Sequence, residues 1–442
     1  MAAKYSTKVD YYENSGSFEL PEAVLAKLAT RSSLTPDSAK LILVMVGLPA
    51  RGKSFICHKL QAFLSWSGHR TEVFNAGQKR RNSSCEMQEA QSRMSADFFD
   101  SGNAQAKQTR ETIAMATLDE LLAWLEHGGE VAIFDATNSN RARRRHVLAR
   151  ADEAAAAFGQ SVSVVFIESL CDEPALLEAN MRNKVRASPD FKHLDEATAL
   201  ADLQRRIANY EAAYEPVSDD EGAYIKLYNL SSKVTAHQVF GRMSKSVLPF
   251  VMSMHVHARP VYLAAFLTGT GNADEHGKRF AEKISAWLKR RSATHSLRLL
   301  SSTQPASISA AAMLSSDIGA PVTHQSGLNP LDRGTTVAEG DQLLAKMRFD
   351  ERFAGGESFQ DLVRRLESSL LEIEASMEPV LVLAHGSPCR ALRAYFLSLE
   401  IEKCMGAASS EGAIALANES ESVVELVPKV GGGFVETIHH LT

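Results

Sequence analysis

The chain has 442 residues, 45% of them hydrophobic and 23% charged, which is the composition of an ordinary globular protein with two or three domains. Its formal net charge of −5 excludes a global positive field for nucleic acid or a membrane surface, so any affinity for anions must come from local clusters. Five cysteines without a CxxC pair argue against disulfides and zinc, and neither a secretory leader nor an apolar run of about 18 residues is visible, so we expect a cytoplasmic protein.

Short apolar runs alternate with helical patterns from residue 38 onward, after a polar stretch (1–37) that we expect to be a flexible extension. The first half contains the predicted strands LILVMV, TEVFNA, EVAIFDA, SVSVVFIES and AYIKLYNL. Helices are predicted for SFICHKLQAFLSWSG, KQTRETIAMATLDELLAWLEHG, ARRRHVLARADEAAAAFG and DEATALADLQRRIANYEAAYEP. Such alternation predicts βαβ units and a parallel sheet.

A second α/β series begins after the segment SVLPFVMSMHVHARP, where proline and a change of pattern interrupt the first. Its predicted strands are VYLAAFL, LRLLSS and PVLVLAH, and its predicted helices are FAEKISAWLKRR and VRRLESSLLEIEA. Neither half is an obvious repeat of the other. We therefore place the domain boundary near residue 250, with domains at 38–250 and 251–442.

The strand LILVMV leads directly into GLPARGKS, which matches the phosphate-binding pattern GxxxxGK(S/T). Glycines lack the Cβ atoms that would keep backbone N–H groups from wrapping a phosphate, and the helix that follows adds its positive N-terminus. We expect Lys53 to reach the β- and γ-phosphates of ATP and Ser54 to place its hydroxyl on Mg²⁺. A chance glycine-rich turn is disfavoured, because a strand precedes the loop and a helix follows it. The predicted nucleotide-binding residues are Gly47, Leu48, Pro49, Ala50, Arg51, Gly52, Lys53 and Ser54.

A second candidate catalytic element is VAIFDATNSNRARRR, in which an apolar strand ends at Asp135. A carboxylate there can hold Mg²⁺ or accept a proton from the hydroxyl that is phosphorylated. The alternative is a helix N-cap, since DATN also suits a helix start. Paired with a phosphate loop, the catalytic interpretation is the better one.

Basic residues cluster in the first half, within a protein that is acidic overall. Each cluster taken alone reads as a solvated helix face, but four of them around a phosphate loop suggest a pocket for an anionic second substrate. The clusters are Lys79–Arg81, Arg141 with Arg143–Arg145, Arg182 with Lys184 and Arg186, and Arg205–Arg206.

These residues carry a resemblance to the 6-phosphofructo-2-kinase/fructose-2,6-bisphosphatase family, from about residue 38 to about 400. GLPARGKSF, FNAGQKRR, VAIFDATNSNRARRR, VVFIESLCDEP, SPDF and RRIANYEAAYEPV resemble its kinase half in order and spacing. GGESFQDLVRRLESSLLEIE and VLVLAHGSPCRALRAYF resemble its phosphatase half. The resemblance implies a P-loop NTPase-type parallel-sheet domain followed by a histidine-phosphatase-like α/β domain.

The resemblance also implies an activity, the transfer of the γ-phosphate of ATP to the 2-hydroxyl of fructose 6-phosphate. Asp135 would act at the reacting centre with Mg²⁺, Asn180 would lie by the nucleotide, and Cys171 matches a family cysteine near the site, although a packing role explains a buried cysteine equally well. The implied sugar-phosphate ligands are Arg80, Thr137, Arg143, Arg206 and Tyr210. We expect no nucleic-acid or membrane partner, and a homodimer is left open.

Two departures from the family pattern stand out in the first half. The family lysine before SPDF falls on Val185, and we assign its catalytic role to the neighbouring Lys184. The family pattern FFRPDN reads FFDSGN here, so Asp100 stands where we expect a sugar-phosphate arginine. We expect this change to weaken fructose 6-phosphate binding, the alternative being that Asp100 faces solvent and Lys107 or Arg110 takes over the role.

The second half lacks most of what hydrolysis through a phosphohistidine requires. The expected Arg-His-Gly appears as Ala265, Phe266 and Leu267, Thr303 replaces a second arginine, and Pro330 replaces a glutamate. His385 alone matches a catalytic position, and we read it as structural. His255 and His257 alternate along an apparent strand but have no third ligand, so we read them as structural too. We therefore predict a kinase without bisphosphatase activity, the alternatives being a phosphate-loop kinase for another acceptor, such as a polynucleotide 5′-hydroxyl, and a metabolite-binding pseudoenzyme.

Overall fold

The structure, a computed structural model, describes residues 8–9, 18–19, 22, 39–82, 96–100, 102–230, 232–255, 259–266, 273–291, 296–335, 347–405, 422–429 and 433–441. Within the predicted N-terminal extension, strands β1 (Lys8–Val9) and β2 (Phe18–Glu19) pair antiparallel. His257 and Leu267, named in the sequence analysis, lie outside the described residues.

The first sheet has the spatial order β4-β5-β3-β6-β7-β8. Strand β3 pairs in parallel with β5 and β6, β6 pairs in parallel with β7, and β8 is antiparallel to β7. Every residue of β3 is buried, as its unbroken apolar run predicts for a central strand covered on both faces. The strands are β3 (Lys40–Val46), β4 (Thr71–Asn75), β5 (Val131–Asp135), β6 (Val162–Leu170), β7 (Ala223–Tyr228) and β8 (Lys233–His237).

Side-chain caps set the starts of three helices that accompany this sheet. Asn103, Asn140 and Asp195 each accept a hydrogen bond from a backbone N–H in the first turn that follows. Gly159, in the left-handed conformation, ends the helix that begins after Asn140. In chain order the helices are α1 (Lys53–Trp66), α2 (Ala76–Asn82), α3 (Ala104–Glu126), α4 (Arg141–Phe158), α5 (Pro174–Ala187), α6 (Glu196–Glu211) and α7 (Arg242–Ser253).

The second sheet has the order β11-β10-β12-β9-β13-β14. Its first four strands are parallel, whereas β13 is antiparallel to β9 and β14 is antiparallel to β13. The strands are β9 (Val261–Phe266), β10 (Arg298–Ser301), β11 (Val322–His324), β12 (Val380–His385), β13 (Ser422–Pro428) and β14 (Phe434–His440).

Apolar helix faces bury the second sheet. Phe280, Ile284 and Leu288 pack with Leu299 and Leu381 in one core cluster. The helices are α8 (Ala273–Arg290), α9 (Pro305–Ile318), α10 (Phe359–Ala375), α11 (Gly386–Leu397) and α12 (Ile401–Met405). None of the described helices is both long and apolar enough to cross a membrane.

The chain divides into two compact units. The first comprises Met1–Lys53 and Glu72–Leu248, and the second comprises Ser54–Thr71 and Pro249–Thr442. The predicted α/β fold class, a mostly parallel sheet in each half, is confirmed. The sequence pattern placed α1 within the first domain, whereas all of this helix after Lys53 groups with the second unit.

Candidate functional site

The phosphate loop requires glycine at its first position. Gly47 has a φ of 140°, and a Cβ built on it would lie 2.6 Å from the backbone oxygen of Ser169. Its N–H donates to the carbonyl of Thr137 over 3.0 Å. Strand β6 and the loop after β5 therefore fix the start of the phosphate loop from two sides.

Further hydrogen bonds fix the rest of this loop. The Ser169 hydroxyl donates to the carbonyl of Arg51, and Asn138 Nδ2 donates to the carbonyl of Met45, 2.8 Å away. Lys53 Nζ lies 2.7 Å from the carbonyl of Leu48, so its ammonium group curls over the loop. The loop is thus held open as a nest of backbone groups at the N-terminus of α1, which is an arrangement that binds anions.

Asp135 ends β5, the strand beside β3, and is 5% exposed. Asn75, at the end of β4, donates from Nδ2 to Asp135 Oδ2 over 2.6 Å. Because parallel strands present their carboxyl ends at one edge, Asp135 reaches the same edge of the sheet as the phosphate loop. Sequence reasoning missed Asn75, which orients this carboxylate.

Lys184 and Val185 are neighbours on α5 but differ in burial. Val185 packs into a core cluster with Phe191 and Leu203. Lys184 is exposed to solvent over part of its length. The protein around its ammonium group nevertheless lowers its pKa by desolvation, and the nearby carboxylates of Asp135 and Asp190 oppose that shift. Asp135 and Asp190 lie close enough to the Lys184 ammonium group to interact with it electrostatically. The arrangement favours Lys184 over any role for position 185.

Cys171 and Asn180 lie on either side of the start of α5. Burial raises the pKa of the Cys171 thiol, with Arg51 of the phosphate loop opposing the shift. The thiol is therefore neutral near pH 7, which favours packing or positioning over nucleophilic chemistry. Asn180 precedes Lys184 by one helical turn and shares its helix face.

Asp190 brings two of the predicted substrate arginines together. Its Oδ2 accepts from Arg80 over 2.6 Å and from Arg206 over 3.0 Å, and Arg206 also pairs with Asp202 over 2.7 Å. Burial opposes ionisation of Asp190, but Arg80 and Arg206 outweigh it and hold its pKa below the ordinary value. The anchored guanidinium groups are pre-organised and lose little entropy on binding a phosphate.

Phe99 is the aromatic centre of the same cluster. The guanidinium carbons of Arg80 and Arg206 lie 5.1 and 4.8 Å from its ring centroid, and the ring of Tyr210 lies 5.8 Å away. Arg110, whose NH1 donates to the carbonyl of Phe98, lies close enough to Tyr210 to interact electrostatically.

Arg110, which the sequence offered only as an alternative substitute for position 100, adds a cation to the site. Burial lowers its pKa, and Tyr210, Arg143 and Asp100 contribute smaller effects. Asp100 itself is exposed, and its carboxylate accepts from the backbone N–H of Gly102 over 2.9 Å. A cation therefore lies beside the predicted ligands although position 100 is acidic.

Arg143 pairs with Glu111 through Nε at 2.9 Å and NH2 at 2.5 Å. Its neighbour Arg144 is fully buried, and its Nε donates to Glu221 over 2.7 Å, which makes it a structural residue. The structure thus brings Arg80, Arg143, Arg206 and Tyr210 into the surroundings of Arg110 and Phe99. Thr137 lies in the loop after β5, where its carbonyl binds Gly47.

The basic clusters in the sequence divide between site and surface. Arg182 and Arg186 are exposed on α5 and pair with Glu178 or Glu196. Arg205 is exposed, whereas its neighbour Arg206 is 5% exposed. The prediction of a pocket built from whole clusters was too broad, because helix periodicity turns only part of each cluster inward.

The degenerate second site lies at adjacent strand ends. His385 and Phe266 are partners in the register of β12 and β9, and Ala384 pairs with Ala265. Burial lowers the pKa of His385, so its imidazole is neutral near pH 7. Thr303 is bound to Asn329, with its N–H and hydroxyl each 2.9 Å from Asn329 Oδ1.

Comparison with known proteins gives matches in both halves. The 6-phosphofructo-2-kinase family matches residues 30–258, and the histidine phosphatase superfamily (branch 1) matches residues 274–416. A 6-phosphofructo-2-kinase/fructose-2,6-bisphosphatase from Gallus gallus is 31% identical over 441 residues, covering 94% of this chain and 88% of that protein. One from Arabidopsis thaliana is 31% identical and covers 85% of this chain, which spans 52% of that relative. A solved mycobacterial glucosyl-3-phosphoglycerate phosphatase covers 42% of this chain and 100% of its own at 19% identity, with a TM-score of 0.33.

Proposed function

The chain belongs to the 6-phosphofructo-2-kinase/fructose-2,6-bisphosphatase family, and from that premise we propose that it is a cytoplasmic 6-phosphofructo-2-kinase without bisphosphatase activity. It transfers the γ-phosphate of ATP to the 2-hydroxyl of fructose 6-phosphate. The observation that carries the proposal is the proximity of Asp135 and Lys184 beside the arginines that Asp190 holds.

The phosphate loop binds the triphosphate in this proposal. Backbone N–H groups after Gly47 bind the phosphates, and the N-terminus of α1 adds its partial positive charge. Lys53 supplies a mobile cation for the β- and γ-phosphates. Glycine is required at position 47 because a Cβ there would collide with the backbone of Ser169.

The residues present also fit Mg²⁺. Ser54 lies in the first turn of α1 and Asp135 is the last residue of β5. Their hydroxyl and carboxylate oxygens are the kind of ligand that Mg²⁺ prefers. When bound, the ion would neutralise charge on the phosphates. Asn75 keeps the Asp135 carboxylate oriented, and in this proposal that carboxylate accepts the proton of the attacking hydroxyl.

Lys184 contributes a second cation beside Asp135 in this proposal. Its ammonium group interacts with Asp135 and Asp190, which links the carboxylate at the reacting centre to the arginine cluster. A pre-organised cation in a cleft stabilises charge that develops in the transition state more strongly than one in open water.

Arginines and a tyrosine bind the 6-phosphate of the sugar. Arg80 and Arg206 are anchored by Asp190, and Arg110 of α3 interacts with Tyr210 and lies near Arg143 of α4. Bidentate guanidinium groups suit a phosphate dianion, and their fixed geometry places the sugar for in-line attack.

Hydrolysis at the second site is excluded in this proposal by chemistry. Phe266 has no atom that can accept a phosphoryl group, and it lies at the register position beside His385. Ala265, Thr303 and Pro330 supply neither the guanidinium groups nor the acid that the reaction needs. His385 alone cannot replace them.

The two alternatives have less support. A polynucleotide acceptor would need exposed basic residues as a track, but Arg182 and Arg186 pair with neighbouring glutamates, and Arg144 is buried. A metabolite-binding pseudoenzyme has no need for the ordered set of Lys53, Asp135 and Lys184.

A direct test incubates the protein with Mg-ATP and fructose 6-phosphate and follows the products by phosphorus NMR. We expect an acid-labile phosphate on the anomeric carbon and ADP in equal amounts. A polynucleotide with a free 5′-hydroxyl serves as the competing acceptor, and its phosphorylation in place of the sugar would overturn the proposal.

A further inference from the structure

Helix α1 begins at the phosphate loop, yet its side chains are bound within the second unit. Lys59 Nζ lies 2.7 Å from Glu374 Oε1 on α10, and the Tyr395 hydroxyl on α11 donates to the same oxygen over 2.7 Å. The Lys59 side chain is 15% exposed and that of Glu374 is 5% exposed. A buried carboxylate with two donors has one well-defined position, since loss of Lys59 would leave its charge unpaired and loss of the Tyr395 hydroxyl would remove a hydrogen bond.

Aromatic contacts hold the rest of the helix. Trp66 Nε1 donates to the carbonyl of Ala391 over 2.7 Å, and its ring meets Tyr395 edge-on at 6.0 Å. Phe63 stacks on Phe250 with centroids 4.2 Å apart. These contacts occupy successive turns on one face of α1, so they fix both its rotation about its axis and its position along it.

The backbone around Glu374 is held by Arg259. Arg259 donates to the carbonyls of Ile373, Glu374 and Ser376, which are the last acceptors of α10. Burial, with Glu374 adding to it, raises the pKa of Tyr395 well above its ordinary value, so its hydroxyl keeps the donated proton. The acceptor, its two donors and its backbone are therefore all constrained.

We propose that Lys59, Glu374 and Tyr395 are positioning residues for phosphoryl transfer, and that seating α1 is the contribution of the second unit to the kinase. The inference rests on the proposed function in one respect, that Lys53 and Ser54 at the start of α1 bind Mg-ATP. A rigid helix transmits a displacement along its length, and a misplacement of about 1 Å at a phosphate site lowers turnover by about a hundredfold. Lys59 lies six residues after Lys53, less than two turns away.

The test compares Glu374→Gln with Glu425→Gln in the full chain. Glu425 is a matched control in the second unit, because it is also buried and is bound by Arg291 at 2.8 Å and His439 at 2.7 Å. Calorimetry with Mg²⁺ and a non-hydrolysable ATP analogue gives a Kd that does not depend on the acceptor. Hydrogen exchange at residues 53–60 reports on the start of α1.

We expect Glu374→Gln to raise the Kd for the nucleotide analogue at least fivefold and to speed exchange at residues 53–60, with Glu425→Gln changing neither. Tyr395→Phe, which keeps the ion pair, should raise the Kd by a smaller factor of about two and covers the case in which Glu374→Gln does not fold. An unchanged Kd in both α1-linked variants, or an equal rise in Glu425→Gln, overturns the inference. A wild type that does not bind the analogue overturns the proposed function and the inference with it, whereas binding without sugar phosphorylation contradicts the proposed function alone.

Discussion

The ammonium group of Lys53 lies over its own loop, 2.7 Å from the Leu48 carbonyl, and makes no contribution to a hydrophobic core. Lys53→Met should therefore lower kcat about a hundredfold or more while the melting temperature stays within a few degrees. Arg182→Met, an equal loss of charge at an exposed site, is the control and should leave kcat unchanged. Steady-state kinetics beside thermal unfolding makes the comparison, and a well-folded Lys53→Met enzyme at full rate would contradict the assignment.

Lys184 should give the kinase an alkaline limb. Its pKa is lowered from 10.5, chiefly by burial, so kcat/KM should fall as this proton leaves at a pH below that value. Across the same window the folded chain binds fewer protons than the unfolded chain, so this group makes folding more favourable as pH rises. Lys184→Arg keeps the charge at every accessible pH, and the limb should disappear from its pH–rate profile. An identical limb in that variant would mean that another group titrates.

Substitutions of Arg110 and Asp100 should differ in their effect on sugar binding. Arg110 interacts with Tyr210 and Arg143, whereas Asp100 is exposed. A charged hydrogen bond to phosphate contributes about 1.5–3 kcal/mol, so Arg110→Ala should raise the KM for fructose 6-phosphate about tenfold to a hundredfold. Asp100→Arg should change that KM by less than about threefold, and neither variant should alter the KM for ATP. A large fall in the sugar KM for Asp100→Arg would restore the view that this acidic position weakens binding.

At the scale of strands, the register of β9 against β12 determines which substitutions could restore a hydrolytic site in the second half. It places Phe266 beside His385, so Phe266→His would create a pair of imidazoles at the strand ends. We expect the double variant Ala265→Arg with Phe266→His to release no phosphate from labelled fructose 2,6-bisphosphate, because Thr303 is bound to Asn329 and Pro330 supplies no acid. Measurable hydrolysis, or a trapped phosphohistidine, would show that the remaining scaffold is more complete than this.

Elements were predictable from sequence where one local rule decides them. Buried strands such as β3 and β5 follow from unbroken apolar runs, and the phosphate loop follows from its glycines. The roles of Asn75, Phe99 and Asp190 were not predictable, because each depends on contacts between distant segments that no spacing encodes. The contacts of α1 with the second unit were missed for the same reason. The apolar face of a helix has the same sequence pattern whichever elements pack against it.

On the scale of the whole molecule, the two units differ in which structural features they carry. The first has a phosphate loop, a carboxylate and an arginine cluster, and the second has a sheet, a core and the contacts that hold α1, with Phe266 at the end of β9. A core that holds a helix in place depends on its close-packed apolar residues and not on the polar residues at strand ends.

One measurement tests the central claim most directly: the balance of synthesis and hydrolysis of fructose 2,6-bisphosphate by the same preparation. With Mg-ATP and fructose 6-phosphate, phosphorus NMR should show the acid-labile anomeric phosphate increase until a substrate is exhausted or equilibrium is reached. Labelled fructose 2,6-bisphosphate given alone should lose no phosphate above buffer. Failure to form the anomeric phosphate, or steady release of phosphate from the bisphosphate, would contradict the account.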